Sequence, residues 1–107
     1  MQSINATELA NWLKNDKQPK PILLDVREFS EVQLCEIPGS IHMPMNTIPT
    51  RLDELDNLVP IVCICHHGMR SMQVAHFLKQ HDFESVFNLT GGIHAWAMLI
   101  DPSMETY

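Results

Sequence analysis

Short, almost wholly apolar segments alternate with helical patterns along this chain, and that alternation most limits how it can fold. Ile22–Val26, Ile61–Ile64 and Val86–Leu89 are each too short for an ordinary helix. Continuous apolar runs of this length are typical of strands that are covered on both faces. Because helical patterns lie between them, the sequence predicts a parallel sheet sandwiched between helices, an α/β fold.

Helical signals fill the segments between these strands. Asn5, followed three residues later by Glu8, predicts a capping box that opens a helix of about ten residues. Further helices are predicted at residues 28–34, 46–56, the segment after Ser71, and 94–99. Ile41–Met43 is expected to be a brief strand, and residues 101–107 an extended or loosely packed tail.

Length and composition favour a single globular domain. The chain has 107 residues, of which 45% are hydrophobic and 19% charged, so it can bury a real core. We expect one domain over residues 1–107, with its core at about 4–98 and a C-terminal tail at 99–107.

Charge and cysteine content limit the partners and the compartment. A formal net charge of −6 argues against nucleic acid or an anionic membrane as a general partner. The odd count of three cysteines favours a reducing compartment over a disulfide scaffold. With no signal-peptide pattern and no apolar run long enough to span a bilayer, we expect a cytoplasmic protein.

The strongest chemical signal follows the Ile61–Ile64 strand. Cys65 stands where a strand ends and a helix opens, so several backbone N–H groups there have no ladder partner. Those donors, the helix dipole and the cationic Arg70 favour a thiolate over a thiol. Cys65 is therefore predicted to be a catalytic nucleophile, and the alternative is a buried, inert core cysteine. Asp25 and Gly91-Gly92 also fall at strand ends, where the sites of α/β sheets collect.

Together, four motifs resemble the landmarks of the rhodanese domain. They occur in the family's order and spacing, from about residue 4 to residue 98: Leu24–Glu28 (LDVRE), Ile37–Pro44 (IPGSIHMP), Cys65–Ser71 (CHHGMRS) and Leu89–Trp96 (LTGGIHAW). The resemblance implies a rhodanese-like three-layer α/β/α fold with a five-stranded parallel sheet. It also implies that Cys65 is the sulfur-carrying cysteine of a single-domain sulfurtransferase. Cys35-Glu36 departs from the family, since many members carry Gly-His there.

The length of the loop favours sulfur chemistry. Arg70 lies five positions after Cys65, which gives the spacing Cys-x4-Arg. Related phosphatases of the cell-cycle type have a loop one residue longer, shaped around a tetrahedral phosphate. A tighter ring of amides suits a single sulfur atom on the cysteine better, so we expect sulfur transfer rather than phosphate hydrolysis.

The predicted reaction passes through a persulfide. The Cys65 thiolate takes the outer sulfur of thiosulfate or of a persulfide donor, and a thiol, cyanide or a protein acceptor then removes it. Backbone amides of residues 66–71 are expected to hold the charged sulfur, as an oxyanion hole holds oxygen. The reaction requires no metal and no organic cofactor.

Each of the other loop residues has a predicted role. The substrate-binding and persulfide-cradling loop is expected to comprise His66, His67, Gly68, Met69, Arg70 and Ser71. Arg70 either orients an anionic donor or forms a surface ion pair. The imidazoles of His66 and His67 face either substrate or water. Gly68 is expected to permit a positive φ or a close approach, and Ser71 to cap the following helix.

Supporting roles are expected for Asp25 and Arg27. They are predicted to form a network that braces the loop, with Glu31 or Glu36 as the partner of Arg27. Cys63 is predicted to pack in the core. A redox role for Cys35 stays open.

Two other functions stay open at this point. In one, the chain is a catalytically idle rhodanese-like binding module, although such modules typically lack the cysteine. In the other, it is a small metal-binding protein that uses Cys63, Cys65, His66 and His67. Neither the physiological donor and acceptor nor the oligomeric state follows from the sequence.

Overall fold

In the computed structural model, which describes residues 1–107, five parallel strands form one sheet in the order β1-β5-β4-β2-β3. The strands are Gln2–Ile4 (β1), Ile22–Asp25 (β2), Ile41–His42 (β3), Ile61–Ile64 (β4) and Val86–Leu89 (β5). The α-helices are Ala6–Lys14 (α1), Phe29–Leu34 (α2), Met69–Gln80 (α3) and Gly92–Leu99 (α4). None of these helices combines the length and the apolar character needed to cross a membrane.

Two hydrophobic cores lie on the two faces of the sheet. On one face, Leu24 and Cys63 pack with Val74 and Leu78 of α3. On the other face, Val62 and Ile64 belong to a second cluster, to which α1 and α4 contribute buried side chains. All of β4 is buried because it occupies the centre of the sheet, which explains its unbroken apolar sequence. The predicted three-layer α/β/α architecture is thus confirmed.

The N-terminal strand β1 was not predicted. Gln2 and Ser3 are polar and exposed, and only Ile4 is buried, so three residues carry no strand pattern. The strand forms because it pairs in parallel with β5 at the edge of the sheet. This is a tertiary contact that local sequence does not encode.

The prediction of one helix at residues 46–56 is wrong. The structure has two 3₁₀ helices there, Met45–Thr50 and Leu52–Glu54, separated at Arg51. Pro49 lies inside the first of them, and its ring and missing N–H oppose a continuous α-helix. The apolar spacing that suggested a helix instead delivers Ile48 and Leu55 to the core.

The predicted capping box at the start of α1 is confirmed. The Asn5 side chain accepts a hydrogen bond from the Glu8 amide (2.8 Å), and the Glu8 carboxylate accepts one from the Asn5 amide (2.9 Å). Replacing Asn5 by Ala is expected to cost about 1 kcal/mol, because the Glu8 amide loses its side-chain acceptor while the bond from the residue 5 amide to Glu8 can remain. The check is the urea midpoint of unfolding at unchanged slope.

A matched control for this test lies on the same helix. Asn11 is exposed and its side chain makes no hydrogen bond, so Asn11→Ala removes the same group without removing a cap. We expect Asn11→Ala to leave the midpoint unchanged or slightly higher. Equal losses in the two variants would contradict the assignment of the cap.

Candidate active site

Cys65 lies between the end of β4 and the start of α3, with its side chain buried. Its Sγ accepts hydrogen bonds from the backbone amides of Gly68 (3.1 Å) and Ser71 (3.3 Å). Ser71 belongs to the first turn of α3, so the sulfur takes the place that the side-chain oxygen of an N-cap residue usually occupies. Partial positive charge at this helix end favours an anion on that sulfur.

The loop after Cys65 has more backbone amide donors than the protein itself uses. The backbone amides without an acceptor in the protein belong to His66, His67, Met69 and Arg70. Together with Gly68 and Ser71 they make a continuous stretch of six amides after the cysteine. Such a concentration of unused donors is typical of an anion-binding loop.

Helix α4 holds the carbonyl groups of the loop. The amide of Ile93 donates to the Cys65 carbonyl (2.9 Å), and the amide of His94 donates to the His66 carbonyl (3.1 Å). These amides are free because they lie in the first turn of α4. With its first two carbonyls bonded to α4, the loop directs the amides of Gly68 and Ser71 to the sulfur.

Glycine at position 92 permits this close approach. A Cβ atom on Gly92 would lie 2.6 Å from the Cys65 carbonyl oxygen and closer still to the carbonyl oxygen of His66. Gly68 serves the loop in a different way, with the positive φ (+108°) that was predicted for it.

Asn88 is a site residue that the sequence analysis missed. It lies on β5 and is buried, its side-chain amide donates to the Gly68 carbonyl (3.1 Å), and its oxygen accepts from the Ser71 hydroxyl (2.5 Å). Ser71 Oγ in turn lies 3.2 Å from Cys65 Sγ. The signal was present, because one polar residue in an otherwise apolar buried strand requires partners.

Arg70 forms an ion pair at the rim of the site. Its guanidinium makes two hydrogen bonds to the Glu31 carboxylate, at 2.6 and 2.8 Å, and so joins α3 to α2. The hydrogen bonds from Arg70 lower the pKa of Glu31 to about 2, so this carboxylate stays ionised at neutral pH. Of the two roles predicted for Arg70, the structure shows an ion pair, located beside the loop.

A buried ion pair between Asp25 and Arg27 braces the same region. Arg27 is fully buried and bonds to the Asp25 carboxylate at 2.7 Å. It also donates to the backbone carbonyls of Glu31 (3.3 Å) and Cys35 (2.6 Å). The predicted carboxylate partner, Glu31 or Glu36, is wrong, because the Glu31 carboxylate is bound to Arg70 and Asp25 fills the role.

Tyr107 covers one side of the loop, which corrects the prediction of a loosely packed tail. Its ring stacks on His66, with centroids 3.8 Å apart and planes within 10°. Its hydroxyl accepts from Arg27 (3.0 Å) and donates to Glu31 (2.7 Å). Burial raises the pKa of Tyr107 to about 12, so the phenol stays protonated. Sequence offered no signal, since these contacts join distant parts of the chain.

The histidines lie on the outer side of the loop. His66 is half-buried under Tyr107, and burial lowers its pKa, which favours the neutral imidazole. His67 is exposed, and its ring lies near those of His66 and His94. Met69 is also exposed, so the side chains of His67 and Met69 both face solvent beside the loop.

The structure also locates the other two cysteines and bears on the predicted metal site. Cys63 is fully buried in the core, as predicted, and burial raises the pKa of its thiol to about 12. Cys35 is half-buried, 3.8 Å from a guanidinium nitrogen of Arg27. No group of three or more His, Cys, Asp or Glu side chains has a geometry that would hold a metal ion. The structure therefore does not assemble a metal site from Cys63, Cys65, His66 and His67.

Comparison with known proteins identifies the family. The model of the Rhodanese-like domain family matches residues 5–99. This chain belongs to the rhodanese-like domain family. A protein named sulfurtransferase from Allochromatium vinosum is 38% identical over 76 residues, which cover 71% of each chain. The crystal structure of a rhodanese-like domain protein from Staphylococcus aureus superimposes with a TM-score of 0.85 at 31% identity, covering 100% of this chain and 99% of that one.

Some relatives of this rhodanese-like chain are considerably longer. It is 37% identical over 89 residues to the Rhodanese-like/PpiC domain-containing protein 12 of Arabidopsis thaliana, which covers 79% of this chain but 30% of that protein. Its match to YrkF of Bacillus subtilis likewise covers 45% of that protein. Rhodanese-like domains of this kind thus also occur as parts of larger chains.

Gly92 provides a test of how the rhodanese-like loop is held. We expect Gly92→Ala to lower sulfur-transfer activity and to cost about 2 kcal/mol beyond any backbone strain, because the new methyl group overlaps two loop carbonyls. Gly39→Ala is the matched control, since Gly39 also has a positive φ (+86°) but has nothing within 4 Å of the added Cβ. Urea unfolding and activity should separate the variants. Equal losses would contradict the proposed contact between α4 and the loop.

Proposed function

We propose that this protein transfers a sulfane sulfur from a donor to a thiophilic acceptor through a persulfide on Cys65. In the first step the Cys65 thiolate attacks the outer sulfur of the donor, an S–S bond forms, and the donor's S–S bond breaks. Thiosulfate would release sulfite, and a persulfide donor would release a thiolate. In the second step cyanide, a thiol or a protein thiolate removes the outer sulfur, and Cys65 leaves as a thiolate.

One observation carries this proposal: Cys65 Sγ already accepts hydrogen bonds from two backbone amides at the start of α3. A persulfide places its charge on the outer sulfur, one bond further from the chain. The loop amides that have no acceptor are the donors available to that second sulfur. Because these donors are fixed before the reaction, they stabilise the charge with little reorganisation.

The family supports sulfur transfer at a general level. One relative is named a sulfurtransferase, and the name of another describes a sulfur carrier protein. The presence of Cys65 beside a continuous stretch of donors supports an active domain over an idle binding module. We propose that the sulfur acceptor is a thiol or cyanide. We also propose that the protein is active in a reducing compartment such as the cytoplasm.

Charge at the rim bears on the class of donor. Arg70 is the cationic residue of the loop, and Glu31 accepts two hydrogen bonds from its guanidinium. The chain as a whole carries a formal net charge of −6. An anionic donor such as thiosulfate therefore meets a weakened attraction. We propose that a persulfide on a thiol is used more efficiently than thiosulfate.

The persulfide intermediate can be tested by intact mass. After incubation with thiosulfate or a persulfide donor and removal of excess reagent, the protein should gain the mass of one sulfur atom, and cyanide should remove it. Cys65→Ser should gain none, because no thiolate remains in the loop. Cys35→Ser is the matched control, since it removes a half-buried thiol outside the loop, and it should gain sulfur as the wild type does.

Two results would overturn this assignment. In one, the wild-type protein gains no sulfur from either donor. In the other, the added sulfur stays in Cys65→Ser and disappears in Cys35→Ser, which would move the intermediate to the wrong cysteine.

The donor preference can be tested by removing the charge that opposes thiosulfate. We expect Glu31→Gln to raise the second-order rate with thiosulfate, a dianion, on the order of fivefold, the effect of a charge interaction of ~1 kcal/mol, and to raise the rate with a singly charged alkyl persulfide less. Glu36→Gln is the control, because Glu36 is exposed, makes no side-chain hydrogen bond and changes the net charge equally. Equal acceleration in both variants would show that only net charge matters.

A further inference from the structure

The hydrogen bonds of Asn88 fix the direction in which the Ser71 hydroxyl points. A backbone carbonyl only accepts, so the side-chain nitrogen of Asn88 must be the atom that faces the Gly68 carbonyl (3.1 Å). The side-chain oxygen of Asn88 therefore faces Ser71 and accepts its hydroxyl proton (2.5 Å). Since a hydroxyl has one proton, Ser71 presents only lone pairs to Cys65 Sγ, 3.2 Å away.

This orientation of the Ser71 hydroxyl suits a protonated Cys65 and opposes an ionised one, whereas the amides of Gly68 and Ser71 act in the other direction. A thiol can donate its proton to the lone pairs of Ser71 Oγ. A thiolate next to the same lone pairs gains nothing from them until the hydroxyl turns about its Cβ–Oγ bond and donates to sulfur. That rotation removes the donor from the Asn88 oxygen, which is buried and has no other partner.

We propose that Asn88 is a positioning residue that holds the Ser71 proton away from Cys65 and thereby restrains ionisation of this thiol. On ionisation the S–H bond breaks, the proton goes to solvent and the electron pair stays on sulfur, while the O–H bond of Ser71 turns but does not break. The inference rests on the proposed role of Cys65 as the nucleophile. It adds a residue of β5 that tunes when that nucleophile forms.

Asn88 has this effect because its two partners belong to the same loop. Gly68 is the N-cap residue of α3 and Ser71 lies one turn further, so one side chain spans the turn that carries the sulfur's two amide donors. The bond to Gly68 keeps the loop in place, and the bond to Ser71 determines whether the Ser71 proton or its lone pairs face the sulfur. The two bonds can be separated by mutation.

The test measures the rate of Cys65 alkylation by iodoacetamide against pH, read by peptide mass in a Cys35→Ser background. Asn88→Leu keeps the approximate size of the side chain but removes both the acceptor for Ser71 and the donor to the Gly68 carbonyl, so the Ser71 proton is free to donate to the thiolate. At a pH where the parent is mostly thiol, we expect alkylation about tenfold faster, the size of one hydrogen bond to a charged group. Asn88→Ala also removes the acceptor and replaces Asn88→Leu if that variant does not fold.

Asn88→Asp is the opposite control. An ionised carboxylate at this position loses the donor to the Gly68 carbonyl, as Asn88→Leu does, but keeps the acceptor and holds the Ser71 proton more strongly. A protonated carboxyl group would reproduce both bonds of asparagine. In neither state should alkylation be faster than in the parent. If Asn88→Asp accelerates alkylation as Asn88→Leu does, general loosening of the loop is the cause and the proposal is wrong.

The role of Ser71 is tested by repeating the comparison in a Ser71→Ala background. Without the hydroxyl, Asn88→Leu should leave the pH profile unchanged, and an undiminished tenfold effect would overturn the proposal. The other groups that titrate or carry charge around the sulfur are common to all variants and cancel in the comparison: Cys63 on β4, His66 and His67 in the loop, Arg70 on α3 with Glu31 on α2, His94 on α4 and Tyr107 in the tail.

This assay uses no sulfur donor, so the two proposals fail separately. If the protein gains no sulfur from any donor but the alkylation rates follow the expected pattern, the proposed function is wrong and the role of Asn88 stands. If the protein gains sulfur but the alkylation rates do not change when Asn88 is replaced, the proposed function stands and the role of Asn88 is wrong.

Discussion

The site depends on how the backbone groups after β4 are divided between two helices. The carbonyls of Cys65 and His66 bond to the first turn of α4, and the amides of Gly68 and Ser71 bond to the sulfur. If the carbonyls were not bonded elsewhere, the loop could turn either set of groups toward the sulfur. Because α4 binds the carbonyls, the backbone groups that the loop turns toward the sulfur are amide donors, those of Gly68 and Ser71.

The architecture of the sheet makes this division possible. Parallel strands bring their carboxyl ends to one edge, so β4 and β5 deliver the Cys65 loop and the start of α4 to the same place. Asn88 then extends from β5 into the loop, and the buried pair of Asp25 and Arg27 fixes the chain after β2 beside it. Removing one member of such a buried pair usually costs about 3–5 kcal/mol, which keeps this edge of the site rigid.

Sequence predicted the parts of this structure that local chemistry determines. The apolar runs gave three of the central strands, the Asn5–Glu8 pair gave the start of α1, and the Cys65 motif gave the loop. What it missed depends on long-range partners. β1 forms only by pairing with β5, Asn88 was hidden in an apolar strand, and Tyr107 reaches the loop from the far end of the chain. Sequence left Arg70 with two possible roles, orienting an anionic donor or forming an ion pair, and its pairing with Glu31 on α2 could not be read from spacing.

NMR can test most directly whether the loop amides hold a persulfide. The backbone amide proton shifts of the loop are recorded before and after one sulfur atom is loaded onto the protein. If the loop amides hold a persulfide, the shifts of residues 66–71 should change most in the whole spectrum, with the amides that lack an acceptor moving downfield, and cyanide should restore them. Mass analysis of the same sample fixes how much sulfur is bound. A fully loaded protein whose loop amides do not shift, or whose changes lie elsewhere, would contradict the account.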